Sequence, residues 1–132
     1  MSDDFLAGRR ILCVEDETLV AMLIEDILQE LGCETIGPFA KASVALEALG
    51  SVQIDGALLD VNLRGQDSYS IADALQRMGC PFLFLTGYGE EGVKPAYRNA
   101  PILQKPFNAG RVGAALRELI RSAGEDRQRA VR

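Results

Sequence analysis

Three acids stand at the ends of two apolar runs, and chemistry enters the chain there. Ile11-Leu12-Cys13-Val14 runs into Glu15 and Asp16, and Gly56-Ala57-Leu58-Leu59 runs into Asp60. Thr86 closes a third run, Pro81-Phe82-Leu83-Phe84-Leu85, and Lys105 follows a fourth at 101–104. If the runs are neighbouring parallel strands, all five side chains share one rim, where ligands of open α/β sheets bind. Carboxylates about 4 Å apart repel by roughly 4 kcal/mol per pair at an effective dielectric near 20, so a cation is expected among them. Carboxylates with a backbone carbonyl suit a hard divalent ion, and Mg2+ pairs with one or two carboxylates plus phosphate oxygens. The set therefore suits phosphoryl chemistry, with Asp60 as nucleophile, Lys105 as a second positive charge and Thr86 as a hydroxyl donor to a phosphoryl oxygen.

Other chemistries are harder to build from these residues. The chain has no histidine, which removes Ser-His and Cys-His catalysis and the usual zinc sets. Cys13, Cys33 and Cys80 are scattered in apolar surroundings without a CxxC pair, and read as buried thiols. A net charge of -5 and a pI near 4.7 leave no basic face for nucleic acid. No apolar run approaches a membrane span, and the start lacks the pattern of a secretory signal, so a cytoplasmic protein is expected.

The elements that must position the rim alternate along the chain. With 132 residues, 48% hydrophobic and 25% charged, one globular α/β domain is expected. Strands are expected at 10–14, 34–37, 56–60, 81–86 and 101–104, with Pro38 at the exit of the second, an edge strand. Leu19, Leu23, Ile27 and Leu31, widened by Val20, Ile24 and Leu28, predict a first helix that Gly32 ends. Further helices are expected over 41–49, through Ile71, Leu75 and Met78, and through Val112, Leu116, Leu119 and Ile120. The polar stretch 62–67 reads as a loop. Three glycines in 87–92 predict a shortened or mobile fourth helix. Right-handed βα units then give a flavodoxin-like, doubly wound, five-stranded parallel sheet of order 2-1-3-4-5. Residues 1–8 are expected as an extension, 9–124 as the domain and 125–132 as a C-terminal tail.

The quoted residues carry a family resemblance. Ile11-Leu12-Cys13-Val14-Glu15-Asp16-Glu17, Leu58-Leu59-Asp60-Val61-Asn62-Leu63, Phe84-Leu85-Thr86-Gly87 and Gln104-Lys105-Pro106-Phe107 resemble, in order, the receiver domain of two-component response regulators. The resemblance implies a stand-alone, cytoplasmic, Mg2+-dependent signalling phosphoprotein rather than an enzyme. Asp60 would take a phosphoryl group from a sensor histidine kinase or a phosphotransfer protein in a phosphorelay, and a downstream protein would read the result. It also implies that Glu15, Asp16, Asp60 and the Asn62 carbonyl hold Mg2+, that Thr86 and Lys105 bind phosphoryl oxygens, and that the bond before Pro106 is cis. The aromatic switch position of the family, three residues before the lysine, is Ile102 here, and Arg64 stands where proline is common.

The stretch Pro81-Phe82-Leu83-Phe84-Leu85-Thr86-Gly87-Tyr88 resembles a subgroup of alphaproteobacterial single-domain regulators named for a Phe-Ala-Thr-Gly motif, with Leu85 in place of its alanine. Tyr88 is then a regulatory candidate, either covering the site or facing a partner, while a plain loop anchor explains it equally well. The alternative reading is a phosphatase-like enzyme with an aspartyl-phosphate intermediate. Asp60-Val61-Asn62 superficially resembles the DxD motif of haloacid-dehalogenase-like phosphatases, but that motif ends the first strand rather than the third, its second acid is Asn62 here, and the chain lacks room for a substrate-selecting cap.

Overall fold

A computed structural model describes residues 5–63, 66–87 and 89–131. Five parallel strands, β1 (Arg10–Val14), β2 (Glu34–Phe39), β3 (Gly56–Asp60), β6 (Phe82–Thr86) and β7 (Ile102–Gln104), lie in the order β2-β1-β3-β6-β7. This is the flavodoxin-like wiring expected from the sequence. A small antiparallel pair, β4 (Asn62–Leu63) and β5 (Gln66–Asp67), stands apart from the sheet. The stretch 62–67, expected as a loop, thus carries a short ladder that pairs Asn62 with Asp67.

Burial alternates along the strands and divides the core into two layers. Ile11, Cys13, Leu58, Leu83, Leu85 and Leu103 point to the side of α1 (Thr18–Glu30) and α4 (Ala109–Val131). Leu12, Val14, Ala57, Leu59, Phe82 and Phe84 point to the side of α2 (Ala42–Leu49) and α3 (Tyr69–Met78). The period of two is that of a pleated strand covered on both faces. Leu6 is fully buried in the first layer, and α4 runs on through Val131.

Three local expectations need correction. In α1 the buried face is Ala21, Ile24, Ile27 and Leu28, whereas Leu19 and Leu23 are exposed. Steps of four residues advance by about 40° around a helix, so a long i, i+4 row drifts off the face it starts on. Met78 likewise faces solvent, leaving Tyr69, Ile71, Ala72 and Leu75 as the packed side of α3. Strand β2 extends through Pro38 to Phe39 rather than stopping at Gly37, because a proline is tolerated on a sheet edge.

Where a full fourth helix would lie, two 3-10 turns, Gly89–Gly92 and Pro95–Tyr97, connect β6 to β7. The shortened helix anticipated from the glycines is therefore what the chain forms. No helix among the described residues is long and apolar enough to cross a membrane.

Candidate functional site

Parallel pairing brings the strand ends into line. Cys13 pairs with Leu58 and Val14 with Leu59, which sets Glu15 beside Asp60. Asp60 pairs with Leu85 and Thr86 with Gln104, and the Lys105 N–H donates to the Thr86 carbonyl at 2.8 Å. On the far side the Glu15 N–H donates to the Phe39 carbonyl at 2.9 Å. The main chain thus places all four termini before any side chain is considered.

The side chains then converge. Glu15, Asp16 and Asp60 each offer a carboxylate oxygen, and these atoms lie within 4.8 Å of one another. Lys105 Nζ lies 3.0 Å from Glu15 Oε1, 3.6 Å from Asp60 Oδ2 and 3.9 Å from Glu17 Oε1. Glu15, Asp60 and Thr86 are buried, at 2%, 6% and 4% exposure, so their charges and hydroxyl are felt at low dielectric. The Asn62 N–H donates to Asp60 Oδ1 at 3.4 Å, and the Glu17 N–H to Glu15 Oε2 at 3.3 Å.

Crowding perturbs the acids. Burial above all, with the hydrogen bond and charge of Asp60, pushes the Glu15 carboxyl up to about 7, against the pull of Lys105. Burial also works to lower Lys105, but Glu15, Asp60 and Glu17 together outweigh it and hold the ammonium above its ordinary range. Negative charge is therefore in excess. Three oxygen donors this close, with more negative charge than the Lys105 ammonium offsets, are the donor set a hard divalent ion takes.

A cavity of about 680 Å3 opens over Asp60. Its walls include Asn62, Thr86 and Lys105, and also Glu17, Tyr69 and Lys94, which sequence reasoning did not single out for the site. Of these only Glu17 carried a signal, as the third acid after β1. Tyr69 begins a helix and Lys94 sits between two 3-10 turns, where no periodicity marks a residue.

Ile102 is half-buried at the start of β7 and packs against the α2/α3 layer. Pro106 is exposed, and its bond to Lys105 is cis, as is Gly37-Pro38. Tyr88 and Arg64 lie outside the described residues. All three cysteines are buried free thiols, as expected, and burial, with Glu15, Glu25 and Asp60, raises the Cys13 thiol far from reactivity.

Comparisons with known proteins agree with this geometry. The solution structure of SdrG from Sphingomonas melonis Fr1 has 41% identity and a TM-score of 0.77, with 86% of this chain and 97% of that chain covered. A second structure, the BeF3-activated conformation of SdrG from Pseudomonas melonis Fr1, matches at 41% identity and a TM-score of 0.75, covering 86% and 98%. The transcriptional regulatory protein TcrA of Mycobacterium tuberculosis is 35% identical over 121 residues, 88% of this chain and 47% of TcrA. The chain thus spans about half the length of that curated relative. The profile of the response regulator receiver domain matches residues 11–117, and the chain belongs to that family.

Proposed function

We propose that this chain accepts a phosphoryl group on Asp60, with Mg2+ as cofactor, and signals through the protein contacts that this modification alters. The observation that carries the reading is the buried Asp60 carboxylate, set between an acidic cluster and the Lys105 ammonium and open to a cavity. The BeF3-activated conformation of SdrG supports it, since BeF3 bound to a carboxylate imitates a tetrahedral phosphoryl group.

Glu15, Asp16 and Asp60, with the Asn62 carbonyl, are the residues that would hold Mg2+. When bound, the ion neutralises charge on the acids and on the transferring group. Asp60 Oδ attacks phosphorus, forming a P–O bond as the P–N bond of a phosphohistidine, or the P–O bond of a small phosphodonor, breaks. The electron pair leaves with the imidazole or acyl oxygen. Lys105 and the Thr86 hydroxyl stabilise the phosphoryl oxygens, and later attack of water on phosphorus returns the free carboxylate and inorganic phosphate.

The donor in the cell is assigned as a sensor histidine kinase or a phosphotransfer protein, and residues 9–124 as the unit that receives from it. Two steps follow: phosphorylation of Asp60, then a shift in the population of a partner-binding state.

Acetyl phosphate with Mg2+ tests this reading. One acid-stable, hydroxylamine-labile phosphoryl group is expected on the wild-type chain and none on Asp60→Asn. Labelling of Asp60→Asn at the wild-type rate would refute it.

A further inference from the structure

The cavity over Asp60 is lined by a second lysine. Lys94 stands at its mouth, exposed, immediately before the Pro95–Tyr97 turn. One residue at the start of α3 holds it in two ways. The Lys94 N–H donates to Tyr69 Oη at 2.8 Å, and Lys94 Nζ lies 5.0 Å from the centroid of the Tyr69 ring. Tyr69 is itself fixed: it is buried, stacks on Tyr97 at 4.3 Å and meets Phe84 edge-on at 5.7 Å. A ring so constrained sets the position from which the lysine acts.

We propose that Lys94 is a second cation for the phosphoryl group on Asp60, and that Tyr69 is the residue that positions it. The inference rests on the phosphoacceptor reading above and adds a residue to it. Phosphorylation replaces one carboxylate charge with a group carrying about −1.5 to −2, in a pocket already rich in acids. Three phosphoryl oxygens then need donors, and Lys94 is the cation that lines the cavity from the side of the β6–β7 connection. A ring face holds an ammonium more weakly than a phosphoryl dianion does, so the side chain exchanges one for the other. Its N–H bond to Tyr69 keeps the backbone in reach throughout.

The test titrates the full chain with beryllofluoride in the presence of Mg2+, and follows the lifetime of the label left by acetyl phosphate. Lys94→Met is expected to weaken beryllofluoride binding by about tenfold, the scale of one lost charge-assisted hydrogen bond. Lys94→Arg should restore most of it. Mg2+ alone should bind Lys94→Met at least as tightly as wild type, and the melting temperature should fall by no more than the few degrees that loss of one exposed cation–π contact costs. Tyr69→Phe keeps the ring and loses the hydroxyl, and should give a smaller loss of beryllofluoride affinity with Mg2+ binding unchanged. Wild-type binding that disappears in Asp60→Asn but stays within twofold in Lys94→Met overturns this inference alone. A wild-type chain that takes neither beryllofluoride nor the label overturns the phosphoacceptor reading, and this inference falls with it.

Discussion

The Lys105 ammonium lies closer to Glu15, at 3.0 Å, than to Asp60, at 3.6 Å. Its nearest partner is thus the most buried acid of the cluster rather than the proposed acceptor. Replacing it leaves Glu15 buried without its cation. Lys105→Met is expected to destabilise the metal-free protein at pH 8 by about 1–3 kcal/mol, less than a fully buried pair because Glu15 relieves itself by taking a proton. The same variant should bind Mg2+ more tightly than wild type, since the ion no longer competes with an ammonium. Urea unfolding with and without Mg2+ measures both effects, and loss of Mg2+ affinity would contradict the arrangement.

Glu15 also makes stability depend on pH. Its carboxyl is raised from 4.5 to about 7 in the folded chain, chiefly by burial and then by Asp60. Between those values the folded state holds a proton that the unfolded chain has released, so stability rises as pH falls. The contribution is fully present below pH 4.5 and is lost as pH rises through 7. The stability difference between wild type and Glu15→Gln, followed across this window without metal, should change in the variant's favour as pH increases. A flat difference would mean that Glu15 does not titrate there.

Mg2+ should reverse that slope, because it binds the deprotonated acids. At about a hundredfold its dissociation constant it is expected to add roughly 2.7 kcal/mol of stability, most of it above pH 7. Asp60→Asn should lose most of this gain. A thermal midpoint indifferent to Mg2+ at pH 8 would count against the cluster as a metal site.

The same rim depends on a glycine in the edge strand β2, two residues before the Phe39 carbonyl that accepts from the Glu15 N–H. Gly37 has φ +108°, and a Cβ there would meet the Cys13 carbonyl oxygen and the Phe39 N–H nitrogen at 2.8 Å each. Both neighbours are backbone and cannot swing aside. Gly37→Ala is expected to cost about 1–3 kcal/mol. Gly50→Ala, at negative φ with its nearest new contact at 3.6 Å, should stay within roughly 1 kcal/mol of wild type. Chemical denaturation of the two variants side by side separates conformational strain from a general intolerance of alanine.

The sheet was legible because its strands are unbroken apolar runs closed by polar residues, and a parallel sheet buried on both faces produces that pattern. Those closing residues, Glu15, Asp16, Asp60, Thr86 and Lys105, could be read as one rim for the same reason. Leu19 and Leu23 were misplaced because an apolar row on a helix does not by itself say which of two adjoining faces is covered. The β4–β5 ladder is two residues long on each side, too short for alternation to register. Tyr69 and Lys94 escaped notice because tertiary structure alone joins a helix start to an irregular connection.

That connection is where a response to phosphorylation is expected to be measurable. Outside its Gly89–Gly92 turn its main-chain bonds include the Tyr97 N–H to the Lys94 carbonyl at 2.9 Å, Arg98 to Pro95 at 3.3 Å and Ala100 to Tyr97 at 3.2 Å, each spanning only three residues. Its attachment to α3 runs through α3 side chains, by the Tyr69–Tyr97 stack, the Lys94 N–H donating to Tyr69 Oη at 2.8 Å and the Tyr97 hydroxyl donating to Asp73 Oδ1 at 2.9 Å. Segments held this way open at free energies well below global unfolding, so their amides exchange early. Beryllofluoride with Mg2+ should slow exchange across 89–97, by ordering the segment against a filled site. Tyr97→Phe removes one hydrogen bond, worth about 0.5–1.5 kcal/mol, and should speed exchange there by roughly two- to tenfold without altering β1 or β3. Exchange in 89–97 that ignores both the ligand and the variant would place the response to phosphorylation elsewhere in the domain.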